Sequence, residues 1–335
     1  MDEIWHLIND PNPRRGGAQR VLKEAAFQSD KIFSQKDGQN RSYKKFLKNY
    51  AWVLFLVIEI VKRRPQIVFI HSRCFLPLSP ILRFLKAKTV FYTHANYQKW
   101  NWLFRLFRCD QYIAVSDTVK GLLTSNGVPE KIIAVIKNPY IAGSKIPPKP
   151  SQAQKINLAC IGSLNPWKGI ALAATSLSQI SSSQGIPISL TIIGEGPERD
   201  VISNLPGNSE AFTVKLLGYR EFPYEDISDI PIIIIPSLEE GFGLVAIESV
   251  YQGKIVIYNR IPALSEVCND QDLCFPFSHD DPESLVKALK IASNQSTLIF
   301  DQDRMKKRSA DVLKEYGKEI FLERHKKLRS SLTTS

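Results

Sequence analysis

Short apolar runs alternate with helix-like stretches from one end of the 335-residue chain to the other. In the first half the runs read IWHLIN, QIVFIH, KTVFYT, QYIAV and IIAVI, and in the second half INLACIGS, ISLTIIGEG, FTVKLLG, IPIIIIPS and KIVIYN. Short continuous apolar runs of this kind are typical of strands that are buried on both faces of a parallel sheet. Strands that alternate with helices predict an α/β fold.

Three of the intervening stretches carry clear helix signals. One begins near Gly17, another is SYKKFLKNYAWVLFLVIEIVKRR, and a third is DTVKGLLTSNG. Ser116 directly precedes the third stretch and is predicted to cap its N-terminus, while Gly127 is predicted to cap its C-terminus.

A segment rich in proline, serine and lysine, YIAGSKIPPKPSQAQK, interrupts the alternation near the middle of the chain. Apolar periodicity is lost over residues 141–154, which is typical of a linker. The sequence therefore predicts two Rossmann-like parallel-sheet domains of similar length, residues 1–145 and residues 146–335.

Membrane spans, disulfides and metal sites are not expected. The longest apolar run, Ala51–Val61, contains Glu59 and is shorter than the about 20 residues that a span requires. The N-terminus, MDEIWHLIND, lacks the basic region of a signal peptide. The five cysteines form no CxxC pair, and we interpret them as reduced thiols. We expect a cytoplasmic protein without a metal or cofactor.

Basic residues are concentrated in the first part of the chain. Residues 1–150 contain 25 Lys and Arg against 10 Asp and Glu, a net charge of +15, and the remainder contains 19 against 23, a net charge of −4. Such asymmetry is typical of a face that meets an anionic partner, and the alternative is a charge that serves solubility alone. No nucleic-acid-binding motif accompanies the charge, so nucleic acid is not an expected partner.

Glutamates and glycines follow the most apolar run of the chain, in IIIIPSLEEGFGLVAIE, residues 232–248. Ligands of open parallel sheets bind beyond the carboxyl ends of the strands, so Glu240 is expected in a binding loop. Gly241 and Gly243 allow a ligand to approach the backbone, and the next helix presents its N-terminus to phosphate. Glu248 can accept two hydrogen bonds from ribose hydroxyls. The pattern predicts a nucleotide-sugar site; the alternative is a glycine-rich turn with solvated glutamates.

Two further segments carry candidate phosphate-binding features. In CIGSLNPWKGI a strand ends at Gly162, and Lys168 can neutralise a diphosphate as a point charge, although it could equally be a surface lysine. The segment LTIIGEGPERD lacks the third glycine of the dinucleotide fingerprint, which argues against a nicotinamide cofactor.

Taken in chain order, six segments resemble the retaining glycosyltransferases of family 4: RRGGAQRVL, VIKNP, GSLNPWKG, IIGEGPER, VKLLG and EEGFGLVAIE. The resemblance covers nearly the whole chain and implies the GT-B fold, two Rossmann-like domains facing a central cleft. It also implies that the C-terminal helix returns to the N-terminal domain. The implied reaction moves a sugar from a nucleotide diphosphate sugar to an acceptor hydroxyl with retention of anomeric configuration, without a bound metal or cofactor.

The resemblance assigns three residues to the reacting centre. Glu240 begins the E-x7-E motif and would contact the donor sugar, Lys168 would contact the diphosphate, and His94, at the end of a strand, would lie near the reacting centre. The alternative for His94 is a structural histidine. The implied donor-binding positions are Gly16, Gly17, Gly162, Ser163, Lys168, Gly218, Tyr219, Arg220, Glu240, Gly241, Phe242, Gly243, Leu244, Val245 and Glu248.

One departure from the family pattern concerns Ser163, which stands where the family usually has an arginine. A phosphate-binding cation is thereby lost, and Arg14, Arg15 or Arg20 could substitute for it. The departure keeps open a non-catalytic, glycosyltransferase-like binding subunit. A nucleotide-sugar epimerase or a phosphorylase of the same fold is a further alternative.

Basic and aromatic residues are interleaved in NYQKWNWLFRLFRCD, residues 96–110. This pattern suits an anionic membrane surface or a lipid-linked saccharide acceptor, and the alternative is an ordinary amphipathic helix packed on the sheet. We expect a role in bacterial surface polysaccharide or lipid-linked oligosaccharide synthesis, either free in the cytoplasm or peripheral on the inner face of the cytoplasmic membrane.

Overall fold

The computed structural model describes nine stretches of the chain: residues 3–12, 17–27, 29–34, 44–97, 99–141, 143–149, 155–205, 211–269 and 271–333. Contacts divide the chain into two compact units. The N-terminal unit comprises residues 1–139 and 319–335, and the C-terminal unit comprises residues 140–318.

The N-terminal unit is built on a parallel sheet in the order β2-β1-β3-β4-β5-β6. Its strands are β1 Ile4–Ile8, β2 Lys31–Ser34, β3 Ile67–Ile70, β4 Lys88–Thr93, β5 Gln111–Ala114 and β6 Ile133–Val135. Its helices are α1 Gly17–Ala25, α2 Lys44–Arg63, α3 Ser79–Phe84, α4 Leu103–Leu106 and α5 Asp117–Ser125, with 3₁₀ turns at Arg73–Leu78 and Glu130–Ile132.

The C-terminal unit repeats this plan with a parallel sheet in the order β12-β11-β10-β7-β8-β9. Its strands are β7 Ile156–Ile161, β8 Ile188–Ile193, β9 Phe212–Gly218, β10 Ile232–Ile235, β11 Ile255–Asn259 and β12 Cys274–Phe277. Its helices are α6 Ile170–Gln184, α7 Arg199–Ser203, α8 Leu244–Tyr251, α9 Pro262–Cys268, α10 Pro282–Asn294 and α11 Gln302–Tyr316, with 3₁₀ turns at Pro166–Lys168 and Ser296–Phe300.

Both sheets confirm the predicted α/β class with parallel strands. Central strands such as β3 and β10 are buried along their whole length, which explains their continuous apolar sequences. Ser116 caps α5 as predicted, because its side chain accepts a hydrogen bond from the Val119 amide at 3.1 Å. Asn126 occupies the C-cap of α5, and Gly127 follows it in a left-handed conformation, φ +83°.

The last helix, α12 (Lys318–Thr333), packs within the N-terminal unit. It buries Phe321 and His325, and His325 Nε2 lies 3.2 Å from the Tyr92 hydroxyl. The chain first passes from the N-terminal unit to the C-terminal unit after Pro139. The composition had predicted this boundary at residue 145. Backbone hydrogen bonds tie the segment after Pro139 to the C-terminal unit. The Tyr140 amide donates to the Tyr316 carbonyl at 2.7 Å, and the Ile146 amide donates to Gln252 Oε1 at 2.8 Å.

Strand order reverses once in each sheet, and these switch points set where ligands can bind. In the C-terminal sheet the reversal lies between β7 and β10, and in the N-terminal sheet between β1 and β3. The loops that follow these four strands therefore frame the expected binding positions.

None of the helices in the described part of the chain combines the length and the hydrophobicity of a membrane-spanning segment.

Candidate functional site

Lys168 and Glu240 meet at the carboxyl edge of the C-terminal sheet. Lys168 closes the 3₁₀ turn after β7, and Glu240 lies in the loop after β10, so the two residues flank the switch point. The Lys168 ammonium donates a hydrogen bond to Glu240 Oε1, and the Ser237 hydroxyl donates to the same oxygen at 2.9 Å. Both charged side chains keep some exposure, 24% and 15%, so a ligand can reach them.

Backbone contacts hold the two loops together beneath this ion pair. The Trp167 carbonyl accepts hydrogen bonds from the Leu238 amide at 2.9 Å and the Glu239 amide at 3.2 Å. Gly169 has φ +62° and lies so close to Pro236 that a Cβ atom there would stand 2.3 Å from the Pro236 carbonyl oxygen. A glycine is therefore required at position 169 both by conformation and by space.

Helix α8 begins directly after the glutamate loop, with Gly243 as its N-cap in a left-handed conformation, φ +104°. A side chain at Gly243 would also meet Leu264 Cδ2 at 2.8 Å. The first turn of α8, which includes Leu244 and Val245, contains no acidic residue. The positive end of the helix dipole therefore remains available to an anion near Glu240.

Glu248 lies in the second turn of α8 and is buried, with 2% of its surface exposed. An ionised carboxylate can accept several hydrogen bonds, and hydroxyl groups of a ligand are suitable donors. Phe242, another expected donor-binding residue, is buried with its ring edge-to-face against Tyr316, centroids 5.7 Å apart. The Phe242 side chain thus contributes packing under the loop.

The end of β7 is pressed against the end of β8. Gly194 has φ +151°, and a Cβ atom there would stand 1.7 Å from the Gly162 carbonyl oxygen. The Gly162 amide donates to the Ile193 carbonyl at 2.9 Å, and the Ser163 hydroxyl accepts from Asn165 Nδ2 at 2.9 Å. These contacts bring Gly162 and Ser163 to the same sheet edge as Lys168.

Gly218 is the last residue of β9, and Tyr219 and Arg220 follow it, two strands away from β7 in the sheet. Gly218 adopts φ +72° beside the Glu195 carboxylate. Tyr219 is 43% exposed, and the Arg220 guanidinium forms a 3.1 Å ion pair with Asp226. This segment therefore offers an exposed aromatic ring and a cation at the outer part of the same edge.

In the N-terminal unit His94 follows β4 directly and is the last of three histidines in a hydrogen-bonded row. His6 Nδ1 lies 2.9 Å from His71 Nε2, and His71 Nδ1 lies 2.9 Å from His94 Nε2. Burial lowers the pKa of His94 to about 3, so the ring is neutral at physiological pH. Only His94 was expected at the site from the sequence. His71 could have been noticed, because it also directly follows an apolar run, and β3 and β4 are neighbours in the sheet.

The glycine loop expected at the N-terminus is described only in part. Gly17 begins α1, and Arg20 lies in the first turn of that helix. Gly16, Arg14 and Arg15 lie outside the described residues. Among the residues that the structure describes, no group of three or more His, Cys, Asp or Glu side chains could hold a metal ion.

Comparison with known protein families gives matches over most of the chain. Residues 144–312 match the model described as glycosyl transferases group 1, and residues 15–140 match the model described as glycosyltransferase family 4.

Curated relatives are similar over part of their length. An O-antigen biosynthesis glycosyltransferase of Escherichia coli, WclY, is 27% identical over 130 residues, which cover 38% of this chain and 35% of that protein. The lipopolysaccharide 1,6-galactosyltransferase of Escherichia coli is 23% identical over 165 residues, covering 48% and 43%. An uncharacterised glycosyltransferase of Methanocaldococcus jannaschii is 25% identical over 140 residues, covering 40% and 38%. The chain thus spans less than half the length of these relatives.

Two similar solved structures align with this chain over nearly their whole length. Anabaena HepE in complex with UDP-glucose superposes with a TM-score of 0.76 at 17% identity, over 98% of this chain and 99% of that chain. Sucrose-phosphate synthase from Thermosynechococcus elongatus superposes with a TM-score of 0.78 at 15% identity, over all of both chains. At such identities the likeness is one of fold, the GT-B architecture.

Proposed function

The chain belongs to the glycosyl transferases group 1 family, and from that premise we propose that it moves a sugar from a nucleotide diphosphate sugar to an acceptor hydroxyl with retention of anomeric configuration. The observation that carries the proposal is the Lys168–Glu240 pair at the switch point of the C-terminal sheet. A cation and a carboxylate on adjacent loops, beside a helix N-terminus, match the charge pattern of a sugar joined to a diphosphate.

In this proposal the ion pair exchanges partners when the donor binds. Lys168 moves its hydrogen bond from Glu240 to a diphosphate oxygen, and the freed Glu240 oxygen accepts from hydroxyls of the donor sugar. Ser237 remains hydrogen bonded to Glu240 and keeps the carboxylate in place. Because the ion pair neutralises both groups before binding, neither charge is left uncompensated in the free protein.

Rate enhancement then comes from charge stabilisation and orientation. Negative charge develops on the departing diphosphate, where Lys168 and the first turn of α8 stabilise it. Glu248 accepts hydrogen bonds from the ribose hydroxyls, and Tyr219 and Arg220, at the end of β9, contact the nucleobase. The sugar is thereby held in one orientation while the acceptor oxygen attacks. No metal ion takes part in the proposed reaction.

The proposed donor is a UDP-sugar, supported by the UDP-glucose complex of the similar HepE structure. The proposed acceptor is a saccharide or lipid-linked saccharide of a bacterial surface polysaccharide. This choice is supported by the O-antigen and lipopolysaccharide relatives.

We also propose that the N-terminal unit docks on an anionic membrane, at the inner face of the cytoplasmic membrane. By composition this unit has a net charge of +15 against −4 for the C-terminal unit. Trp100 and Trp102 are 62% and 54% exposed, and Lys99, Arg105 and Arg108 are exposed in the same segment. Each basic residue near an anionic surface contributes about 1 kcal/mol, and exposed tryptophans suit the headgroup region.

A panel of nucleotide diphosphate sugars, scored by ligand-induced thermal shift, tests the donor assignment. UDP-sugars are expected to raise the melting temperature more than other nucleotide sugars, with and without EDTA. Stabilisation that requires added magnesium or manganese would contradict the metal-independent site. Binding without turnover on any acceptor would favour a glycosyltransferase-like binding subunit.

A further inference from the structure

Three histidines connect Asp30 to the carboxyl edge of the N-terminal sheet. Asp30 Oδ2 lies 3.0 Å from His6 Nε2, and the two nitrogen-to-nitrogen distances from His6 to His71 and from His71 to His94 are both 2.9 Å. Successive ring planes differ by 25° and 18°, with ring centroids 5.2 Å apart. The rings therefore meet edge to edge, as hydrogen bonds between imidazole nitrogens require.

Asp30 is an anion at one end of this row. Its side chain is 1% exposed, and it accepts hydrogen bonds from Arg329 Nη2 at 2.7 Å and from the Phe27 amide at 2.9 Å. Burial works to raise the pKa of Asp30, but the hydrogen bonds from His6, Arg329 and Phe27 outweigh it and hold that pKa at about 2. An ionised carboxylate can only accept hydrogen bonds.

The anion fixes the direction of every hydrogen bond in the row. His6 Nε2 must carry a proton to donate to Asp30. Because burial lowers the pKa of His6, His71 and His94, each ring is neutral and has one N–H. His6 Nδ1 is then an acceptor for His71 Nε2–H, and His71 Nδ1 is an acceptor for His94 Nε2–H. The single ring proton of His94 therefore lies on Nε2. Its Nδ1 atom is unprotonated and can accept a hydrogen bond.

His94 Nδ1 is enclosed and has no hydrogen-bond partner among the described residues. The His94 ring is held flat against Tyr92, with centroids 4.3 Å apart and planes 4° apart, so it cannot turn without losing the stacking and the bond to His71. A buried acceptor that lacks a donor is costly in the free protein, which indicates a place for a ligand group.

We propose that Asp30, His6 and His71 are positioning residues, which hold His94 in the Nε2–H tautomer so that Nδ1 accepts a hydrogen bond from a hydroxyl of a substrate sugar. The inference rests on the proposed glycosyl transfer. In the other tautomer Nδ1 would carry a proton and could not accept from a hydroxyl in this way. The hydroxyl belongs either to the donor sugar or to the saccharide acceptor.

Histidine-selective ¹⁵N NMR reads the tautomer directly, and the five histidines of the chain can be assigned by single substitutions. We expect His6, His71 and His94 to be neutral Nε2–H tautomers at pH 7. A protonated Nδ1 on any of the three in the wild-type protein would overturn the inference. This arm needs no turnover, so it remains informative if the proposed reaction fails.

The Asp30→Asn variant no longer fixes the direction of the hydrogen bonds along the histidine row, because an asparagine amide can donate to His6 Nε2 as well as accept from it. We expect an Nδ1–H population on His94 and a fall in kcat of about 2–10-fold, because one hydrogen bond between neutral groups would be lost. The His6→Gln variant removes one histidine of the row but keeps the Asp30–Arg329 ion pair. It therefore tests the same inference if Asp30→Asn fails to fold. His325→Gln is the matched control, because His325 is buried in the same core but lies off the row.

Ligand titrations locate the hydroxyl. A change of the His94 Nδ1 shift with UDP-glucose but not with UDP assigns it to the donor sugar, and a change only with UDP plus glucose assigns it to a saccharide acceptor. Either result supports the inference. No change with any of these ligands, or kcat values for Asp30→Asn and His6→Gln equal to that of His325→Gln, would contradict it.

Discussion

Gly169 lies against Pro236 so closely that any side chain at position 169 would strike the Pro236 carbonyl oxygen, at 2.3 Å from Cβ. This approach brings the loop that carries Lys168 to the loop that carries Glu240. The Gly169→Ala variant is therefore expected to lose donor binding and about 1–3 kcal/mol of unfolding free energy from overpacking, in addition to its backbone strain.

Gly185 provides a matched control for this prediction. It has nearly the same left-handed conformation, φ +63° against +62°, but no atom lies within 4 Å of a Cβ placed there. Gly185→Ala should carry the backbone strain alone, about 1–2 kcal/mol, and should bind donor normally. Urea unfolding and calorimetric titration with UDP compare the two; equal losses in both variants would show that the contact with Pro236 is unimportant.

The Lys168→Ala variant is expected to reduce transfer at least about 100-fold, while unfolding free energy changes by less than about 1 kcal/mol. The reason is that its partly exposed ion pair adds little stability, whereas its charge is needed at the diphosphate. Lys120→Ala, which removes an exposed ion pair with Glu130, is the matched control. Normal activity per folded molecule in Lys168→Ala would make Lys168 a structural residue.

Glu248→Ala is expected to weaken nucleotide binding by about 1.5–3 kcal/mol, because hydrogen bonds from ribose hydroxyls to a charged group would be lost. Glu248→Gln keeps the shape of this buried side chain and separates a loss of binding from a loss of packing. Calorimetry with UDP provides the measurement. An unchanged affinity in both variants would remove Glu248 from the donor site.

Acid should destabilise the N-terminal unit well before it protonates carboxylates. Burial lowers the pKa of His6, His71, His94 and His325, the last two to about 3, so the unfolded chain binds protons that the folded chain does not. Stability is complete above the unfolded histidine pKa, about 6.5, and falls as the pH drops toward 3. In the described part of the chain, the other charged or titratable groups that face these rings are Asp30, Arg329 and Tyr92.

Each buried histidine contributes about 1.4 kcal/mol per pH unit to this loss once the unfolded chain is protonated. The unfolding free energy, measured with urea between pH 7 and pH 4.5, should therefore fall steeply as the pH is lowered. In His325→Gln one proton fewer is bound on unfolding, so the slope should be smaller. A flat pH dependence, or the same slope in the variant, would contradict the neutral state of the histidines.

Membrane docking predicts salt-sensitive flotation with vesicles that contain anionic lipid. Replacing Lys99, Arg105 and Arg108 with glutamine should weaken flotation, and replacing Lys287, Lys290 and Lys307, which are exposed in the C-terminal unit, should not. Salt should weaken the attachment because it screens the attraction between basic side chains and anionic lipid, with a Debye length of about 8 Å at physiological salt. If the wild-type protein does not float at low salt, the docking proposal is wrong.

The sequence predicted what local patterns and chain order determine. Buried strands are recognisable in the sequence as apolar runs, and the residues just after such a strand lie at the carboxyl edge of the sheet. Lys168 and Glu240 could therefore be assigned to that edge from the sequence. Two edge strands, β2 and β12, were not predicted, because they lack a continuous apolar run. Strand β2 is short and partly polar, and β12 contains Pro276, which edge positions tolerate.

The histidine row could not be predicted, because it depends on tertiary packing between distant residues. Asp30 and Arg329 are separated by 299 positions, and His6 meets His71 only because β1 and β3 are neighbours in the sheet. The sequence shows that His71 and His94 each follow an apolar run, but it does not show that their rings and the ring of His6 share one hydrogen-bonded row.

Turnover of a UDP-sugar by the purified protein tests the central claim most directly. The account predicts acceptor-dependent UDP release that persists in EDTA, a product whose anomeric configuration matches that of the donor by NMR, and loss of this activity in Lys168→Ala but not in Lys120→Ala. An inverted product, or undiminished turnover in Lys168→Ala, would contradict it.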